Sequence, residues 1–356
     1  MTEEKPIVRE APRSAAEKLA SGHFMTRQDF TELLAGFQDP RITELLAGEA
    51  VRVRKKYYGT KVFTRGLIEF TNYCKNNCYY CGIRRGNQKA ERYRLTEEEI
   101  MQCCHYGFSI GFRTFVLQGG EDAYFTTERL AAIVRRIKQS FPECAVTLSV
   151  GEREREDYRI LKEAGADRYL LRHETANPVH YGCLHPPELS FARRMDCLRS
   201  LKELGFQTGA GFMVGSPGQT VDCLIDDLLF LAEFRPQMVG IGPFIPHRES
   251  PFCDYSRGDV KLTLYLLSLI RILLPHVLLP ATTALRTALL GGREAGILAG
   301  ANVVMPNLSP DKVREKYQLY DHKLTTGKEA AEGLRELKES LASIGYFVVV
   351  DRGDYL

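Results

Sequence analysis

Cys74, Cys78 and Cys81 stand in the run TNYCKNNCYYCGIRR, with three and then two residues between them. Thiolates are soft ligands that suit zinc or an iron–sulfur cluster. A structural zinc site takes four ligands, usually as two separated pairs, and no second pair follows. A cluster held by cysteine alone also takes four. Three thiolates in one short loop therefore leave one iron without a protein ligand, and an open metal position is what catalysis needs. The loop is polar (Lys75, Asn76, Asn77) and aromatic (Tyr73, Tyr79, Tyr80). It shows no core-facing period, so packing does not account for the three cysteines.

Further polar residues fall where apolar ones would be expected. QGGED (118–122) joins a glycine pair, Gly119 and Gly120, to Glu121. The glycines would let the backbone approach a ligand, and Glu121 could accept from an ammonium group. Thr147 and Ser149 lie in AVTLSV, and RHE places Arg172, His173 and Glu174 at the end of an apolar run. Burying such charges without partners costs several kcal/mol. Arg172 and Glu174 share one face of the strand, since side chains alternate, and pairing with each other is the alternative to binding a ligand. Thr282 and Thr283 offer two hydroxyls for a carboxylate, and Tyr320 follows the last barrel strand. The glycine- and proline-rich runs MVGSPGQT (213–220) and GIGPFIPH (240–247) could line an adenine or simply turn. His180 and His185, next to Cys183, suggest a metal, although mouth-loop residues are the plainer expectation.

The elements that must position these residues follow a beat. A charged amphipathic run ends at a glycine, which supplies a left-handed residue past the helix, and a short apolar run follows as a strand. Strands are expected at 67–71, 114–118, 145–150, 168–172, 208–214, 238–244, 277–282 and 302–306. Near-continuously apolar strands alternating with helices indicate a parallel sheet buried on both faces. Eight units, with no GxGxxG after the first strand, favour an α/β (β/α)8 TIM-type barrel over an open sheet. The cysteines then lie in the first loop at the C-terminal face, where this fold carries its chemistry. The division expected is a helical extension over 1–60 and the barrel over 61–356. Ala330, Leu334, Leu337, Leu341 and Ile344 mark one face of a late helix.

The chain of 356 residues is 44% hydrophobic and 26% charged, enough for a large core. A net charge of +3 gives no electrostatic case for nucleic acid or membrane. The start lacks the apolar core of a signal peptide, and LTLYLLSLIRILL (262–274) is too short to span a bilayer and carries Arg271, so it reads as a buried helix. The expected location is the cytoplasm. Ten cysteines without an export signal do not suggest a disulfide framework. The seven outside the triplet (Cys103, Cys104, Cys144, Cys183, Cys197, Cys223, Cys253) are expected to be small buried hydrophobes. The basic loop GIRRGNQKAERYR (82–94) reads as a solvated charged surface.

The cysteine spacing, with an aromatic residue just before Cys81, resembles the signature of the radical S-adenosylmethionine (SAM) superfamily. The resemblance implies a [4Fe–4S] cluster on Cys74, Cys78 and Cys81 whose open iron takes the amino and carboxylate groups of SAM. One electron then yields methionine and a 5′-deoxyadenosyl radical. QGGE resembles that family's SAM-amine motif. Longer runs, among them VLQGGEDAYF, AGADRYLLRHETANP, TGAGFMVGSPGQT, LPATTA and YQLYDHK, are similar to the HydE family of maturases over about residues 50 to 325. Members of this family help build the active-site cluster of [FeFe]-hydrogenase. The similarity implies Tyr80 beside the adenine, Glu174 on the SAM ribose and Arg193 on its carboxylate. It implies Thr147, Arg172, Thr282, Thr283 and Tyr320 around an iron–carbonyl–cyanide–cysteine substrate. The implied partners are a low-potential donor such as ferredoxin or flavodoxin, a tyrosine-cleaving maturase and a GTPase scaffold. No cysteine follows Cys253, so no second iron–sulfur cluster is expected. Two readings compete: a methylornithine or biotin synthase type of radical SAM enzyme, and a non-catalytic iron–sulfur protein.

Overall fold

A computed structural model describes residues 10–324 and 330–356. Its strands are β1 (Lys61–Thr64), β2 (Gly66–Thr71), β3 (Thr114–Gly119), β4 (Ala145–Ser149), β5 (Arg168–Leu170), β6 (Gln207–Ala210), β7 (Met213–Val214), β8 (Met238–Val239), β9 (Gly242–Pro243), β10 (Val303–Val304) and β11 (Phe347–Val349). Six form one parallel sheet in the order β2-β3-β4-β5-β6-β8. Single parallel bridges continue it from Met238 to Leu278, from Pro280 to Val303, and from Asn307 back to Leu67. Backbone bonds seal that last seam: Leu67 N–H to Pro306 O at 2.9 Å and Leu308 N–H to Leu67 O at 2.7 Å. The sheet closes on itself, and the barrel expected from the sequence is present.

All eight expected positions lie in the ring, but several are shorter than the apolar runs suggested. The run 208–214 is cut at Gly211 and 238–244 at Gly240, and their outer halves pair separately as β7 and β9. A Cβ on Gly211 would stand 2.0 Å from the Gly240 carbonyl oxygen, so the two breaks pass against each other and position 211 admits only glycine. The run 277–282 forms only isolated bridges, and 168–172 keeps strand geometry only to Leu170. Two strands escaped the sequence reading. They are β1 and β11, and β1 pairs with β10 on one side and β11 on the other.

The connecting helices begin at side-chain caps, as at Thr96, Thr126, Ser190, Thr220 and Asp259. Gly165 and Gly205, with φ of +107° and +76°, follow two of them in the conformation that glycine adopts freely. Helices Glu10–Ala20, Arg27–Ala35 and Pro40–Tyr58 precede the barrel. They join its core through Tyr265, whose hydroxyl donates to Leu33 O, and Arg54, which donates to Ala301 O. Helix Val260–Leu273 is buried as expected, and its fully enclosed Arg271 donates to Gly300 O, Pro275 O and Asn302 Oδ1. In the late helix Leu334, Leu337 and Leu341 are buried on one face. Of the scattered cysteines five are buried, but Cys183 and Cys253 are exposed, against expectation. Cys183 lies on a short helix over the barrel mouth, so its neighbours leave one side open. Among the described residues no helix is long and apolar enough to cross a membrane.

The N-terminal end of the barrel is stoppered by charge rather than by hydrocarbon. Arg168, with no exposed surface, donates to Gln207 Oε1, Thr114 Oγ1, the carbonyls of Arg352 and Gly353, and Asp354 Oδ1. Replacing a buried guanidinium by an apolar chain strands those acceptors at about 3–5 kcal/mol. The lower end applies here, because Asp354 keeps access to water. Arg168→Met is therefore expected to lower the urea midpoint of the apoprotein markedly, and an unchanged midpoint would show that this plug contributes nothing.

Candidate active site

The loop between β2 and the helix Glu97–Ser109 carries Cys74, Cys78 and Cys81 at the C-terminal face. None is in a disulfide. Burial pushes all three thiols up, Cys81 to about 12, and the neighbouring sulfurs add to the shift at Cys78 and Cys81. The three therefore face one another closely enough to repel as thiolates, which a multinuclear iron cluster would relieve. Among the described residues no three His, Cys, Asp or Glu side chains converge on a single-ion position.

The glycines of QGGED serve the loop. A Cβ on Gly120 would stand 2.2 Å from Tyr73 O and 2.8 Å from Cys74 Cβ, so β3 can end against the cysteine loop only without a side chain. Gly119 abuts Thr71 in the same way. Glu121 accepts from Glu152 N–H at 3.0 Å and lies 3.3 Å from Lys75 Nζ, so its carboxylate already has partners in the protein. Tyr80 lies half-buried beside Cys81, with its hydroxyl 3.3 Å from His185 Nε2. His185 Nδ1 is 3.0 Å from Tyr181 O, and a carbonyl only accepts, so Nδ1 carries the proton. Burial holds this imidazole down at about 3 and hence neutral, and Nε2 accepts from the Tyr80 hydroxyl.

His180 and His185 are not loop residues. They belong to the helix Pro178–Leu184 and its C-cap, and both are buried. His180 bonds to Pro217 O. Packing explains them.

The inner wall holds the other candidates. Arg172 Nη2 and Glu174 Oε2 are 3.3 Å apart but poorly aligned, and neither makes a hydrogen bond there. Arg172 Nε and Thr147 Oγ1 are likewise buried without partners. Such atoms are costly unless a ligand meets them. Strand alternation does not place Glu174, contrary to expectation: its φ is +65°, beyond the end of β5. That geometry costs a non-glycine residue about 1–3 kcal/mol and marks functional sites. Tyr320 is half-buried, and burial raises its hydroxyl, with Thr287 as hydrogen-bond partner and Glu69 and Arg172 nearby. Thr282 and Thr283 line a cavity of ≈ 480 Å³ together with Glu69, Asn307 and Lys323. Thr282 also caps the helix Thr283–Ala288, so one of its lone pairs is already committed.

Arg193, which the resemblance places on the SAM carboxylate, and its neighbour Arg194, which the sequence reading did not single out, lie in different surroundings. Arg193 turns outward to Glu154 and Arg153 O. Arg194 is buried, donating to Glu152 Oε1 at 2.5 Å and Arg172 O at 2.6 Å. Burial pulls it down, but Tyr181, Glu152 and Tyr80 outweigh that and hold it well above its ordinary value. The sequence reading also missed Glu69 and Lys323, a buried pair at 2.5 Å. A charged residue inside LIEFT was the available signal.

A closed parallel barrel with three unpaired thiols in its first loop and unsatisfied charge on the adjoining wall fits a cluster with an open iron and a polar cosubstrate. The chain matches the Radical SAM superfamily over residues 68–231, and it is a radical SAM enzyme that uses a [4Fe–4S] cluster and SAM. It is 51% identical over 312 residues to the [FeFe] hydrogenase maturase subunit HydE of Thermotoga maritima, covering 88% of each chain, and belongs to that family. The solved structure of methylornithine synthase (PylB) superposes with a TM-score of 0.81 at 27% identity, covering 94% of this chain and 97% of that one. The maturase HydG from Carboxydothermus hydrogenoformans shares the fold, with a TM-score of 0.79 at 20% identity over 96% of this chain and 80% of that one.

The difference between the two arginines is testable. Arg194→Ala is expected to weaken SAM binding to the reconstituted enzyme at least tenfold, about 1.4 kcal/mol. Arg193→Ala should leave it within about threefold, since a surface pair contributes ~0–1 kcal/mol. Equilibrium dialysis decides, and the reverse order would return the role to Arg193.

Proposed function

We propose that the chain cleaves SAM reductively and directs the resulting radical at a small iron complex, Fe(CO)2(CN)–cysteine, during assembly of the H-cluster diiron subsite. The observation that carries this reading is the set of three free thiols with Glu174 close enough to raise Cys81, together with the buried, unpartnered atoms of Arg172, Glu174 and Thr147. The 51% identity to a HydE maturase, over 88% of each chain, supports the choice of substrate. When bound, the [4Fe–4S] cluster supplies one electron to the sulfonium of SAM, giving methionine and the 5′-deoxyadenosyl radical.

The chain's own part is placement. Cys74, Cys78 and Cys81 hold the cluster, and no cysteine beyond Cys253 exists to ligate a second one. Tyr80, fixed by His185, flanks the adenine. The backbone at Gly119 and Gly120 lies beside the SAM amine, with Glu121 behind it. Glu174 accepts from the ribose hydroxyls, and Arg194, in place of Arg193, donates to the carboxylate. Arg172 offers two parallel hydrogen bonds to an anionic group of the substrate. Thr147, Thr282, Thr283 and Tyr320 complete its cavity. The helices before residue 60 form an extension to a barrel over 61–356. The setting is the cytoplasm, with a ferredoxin or flavodoxin as electron source, a tyrosine-cleaving maturase upstream and a GTPase scaffold downstream.

Cys78→Ser is expected to lose the cluster and SAM cleavage together, read as iron content and methionine release. A full cubane in that variant would contradict the ligand set. For the wild type, dithionite-driven turnover of the iron–carbonyl–cyanide–cysteine complex supports the substrate. SAM cleavage that leaves the complex unchanged would overturn that part alone and favour a methylornithine synthase type of chemistry.

Arg172 and Glu174 face each other, so their roles separate only by measurement. Losing one partner of a desolvated charged contact costs about 2–5 kcal/mol, or roughly thirtyfold to several thousandfold in affinity. Glu174→Gln should weaken SAM binding and slow its cleavage even without substrate. Arg172→Lys should spare substrate-free cleavage and lower substrate turnover. Equal damage to SAM binding by both would make them one structural pair.

A further inference from the structure

Glu174 holds a backbone conformation that glutamate avoids, with φ at +65°. A residue stays in such a place only where its surroundings over-determine it. On one side Glu174 N–H donates to Gly211 O at 3.0 Å, and a parallel bridge ties it to Phe212. Gly211 N–H in turn donates to His173 Nδ1 at 3.1 Å. The imidazole proton therefore sits on Nε2, which is 3.1 Å from Asp227 Oδ1. On the other side Ala176 N–H donates to the same oxygen at 2.6 Å. One carboxylate atom thus bridges residues 173 and 176 and fixes the span of the turn that contains Glu174.

Asp227 is an anomaly in its own element. It lies on the helix Val221–Phe234 between Leu224, Leu228 and Leu231, fully buried on the face where a leucine would pack. Its second oxygen has no partner. Burial raises its carboxyl and holds His173 down at about 3, so the imidazole stays neutral and donates from Nε2 alone. Nothing about the barrel core calls for an acid here, whereas the turn at Glu174 needs an acceptor.

We propose that Asp227 is a positioning residue for SAM, holding Glu174 in its left-handed conformation through His173 and Ala176 so that the Glu174 carboxylate faces the ribose. The proposal rests on the reading of Glu174 as the ribose contact. Asp227 touches no ligand. Its effect is transmitted through a single oxygen, and that makes it separable from a general role in packing.

The experiment measures SAM affinity of the cluster-reconstituted enzyme by equilibrium dialysis, with the change in the reduced cluster's electron paramagnetic resonance on SAM binding as a second readout. Asp227→Ala is expected to weaken binding about tenfold. Asp227→Asn, which keeps the Oδ1 acceptor, should stay within about threefold of wild type. In a Glu174→Gln background, which alone should lose thirtyfold or more, Asp227→Ala should add almost nothing, because the group it aims is already gone. If Asp227→Ala fails to fold, His173→Asn cuts one of the two ties and leaves that from Ala176: its amide can still accept from Gly211 N–H but cannot reach Asp227, and a smaller loss in the same direction, more than about threefold, is expected. Unchanged affinity in a folded Asp227→Ala or His173→Asn variant would overturn the proposal and leave Glu174's role intact. So would a loss that adds in full to that of Glu174→Gln. Unchanged affinity in Glu174→Gln itself would remove the ribose assignment, and the clamp with it.

Discussion

Arg92 donates to the carbonyls of Asn72, Ile83, Arg84 and Asn87, and the site depends on this one guanidinium more than on any strand. From Asn72 to Tyr93 the chain has no regular secondary structure, so its backbone groups must find partners one at a time. Asn72, fully buried, answers from the other side: its amide donates to Glu91 O and Lys316 O and accepts from Tyr93 N–H. Asn77 accepts from Arg84 and Gly86, and Asn87 donates to Gly82 O. The loop is also stitched to three separate neighbours, through Lys75 to Glu121, Tyr79 to Leu184 and Gly82 to Leu319. Three sulfurs that repel one another as thiolates can be presented together only by a loop restrained in this way.

The same constraint explains why the barrel interior divides into satisfied and unsatisfied charge. Glu69 accepts from Lys323 and Asn307, its backbone N–H donates to Ser309, and Lys323 also donates to Tyr317 O. That cluster is closed, and it anchors the segment after β10 against β2 where the ring seals. Arg172 and Glu174 differ. They are within ionic reach, yet buried nitrogen and oxygen atoms on both make no hydrogen bond. A buried pair is favourable only when its remaining donors and acceptors are met. The first pair holds the fold and the second is arranged for a guest, although both look alike as acid and base in the sequence.

Much of the fold was legible because it rests on periodic features. The recurrence of helix, glycine and apolar run located all eight ring positions. What it could not resolve was length, since an apolar run does not reveal where the chain leaves the ladder. Gly211 and Gly240 break two strands through the close approach of one backbone to the other, a contact between segments distant in sequence. The cysteine loop was legible from spacing alone. Arg194 was not, because adjacent arginines on one helix differ only by a rotation of about 100°. The basic stretch 82–94 was misread in part: Lys89 is exposed, but Arg92 holds the loop and Arg94 grips Asp122 with two hydrogen bonds while lying 3.9 Å over the Tyr73 ring. Charge counted along a sequence cannot separate a solvated arginine from one that gathers carbonyls.

Strain and closure converge on the wall beside the cysteine loop. Between Leu170 and Phe244 the chain gives up regular pairing three times, after Leu170, at Gly211 and at Gly240. Beyond the breaks the outer segments pair again only in short pieces, Glu174 with Phe212 and β7 with β9. At Gly211 only glycine allows the close approach to the Gly240 carbonyl. Past the end of β5 the left-handed residue is Glu174, whose side chain the site needs, so glycine's freedom is not available there. The conformational cost must then be met by hydrogen bonds from neighbouring elements, and His173, Gly211, Ala176 and Asp227 supply them. A ligand-facing carboxylate at a strand break thus requires a buried acceptor behind it, which accounts for an aspartate on the apolar face of an otherwise leucine-lined helix.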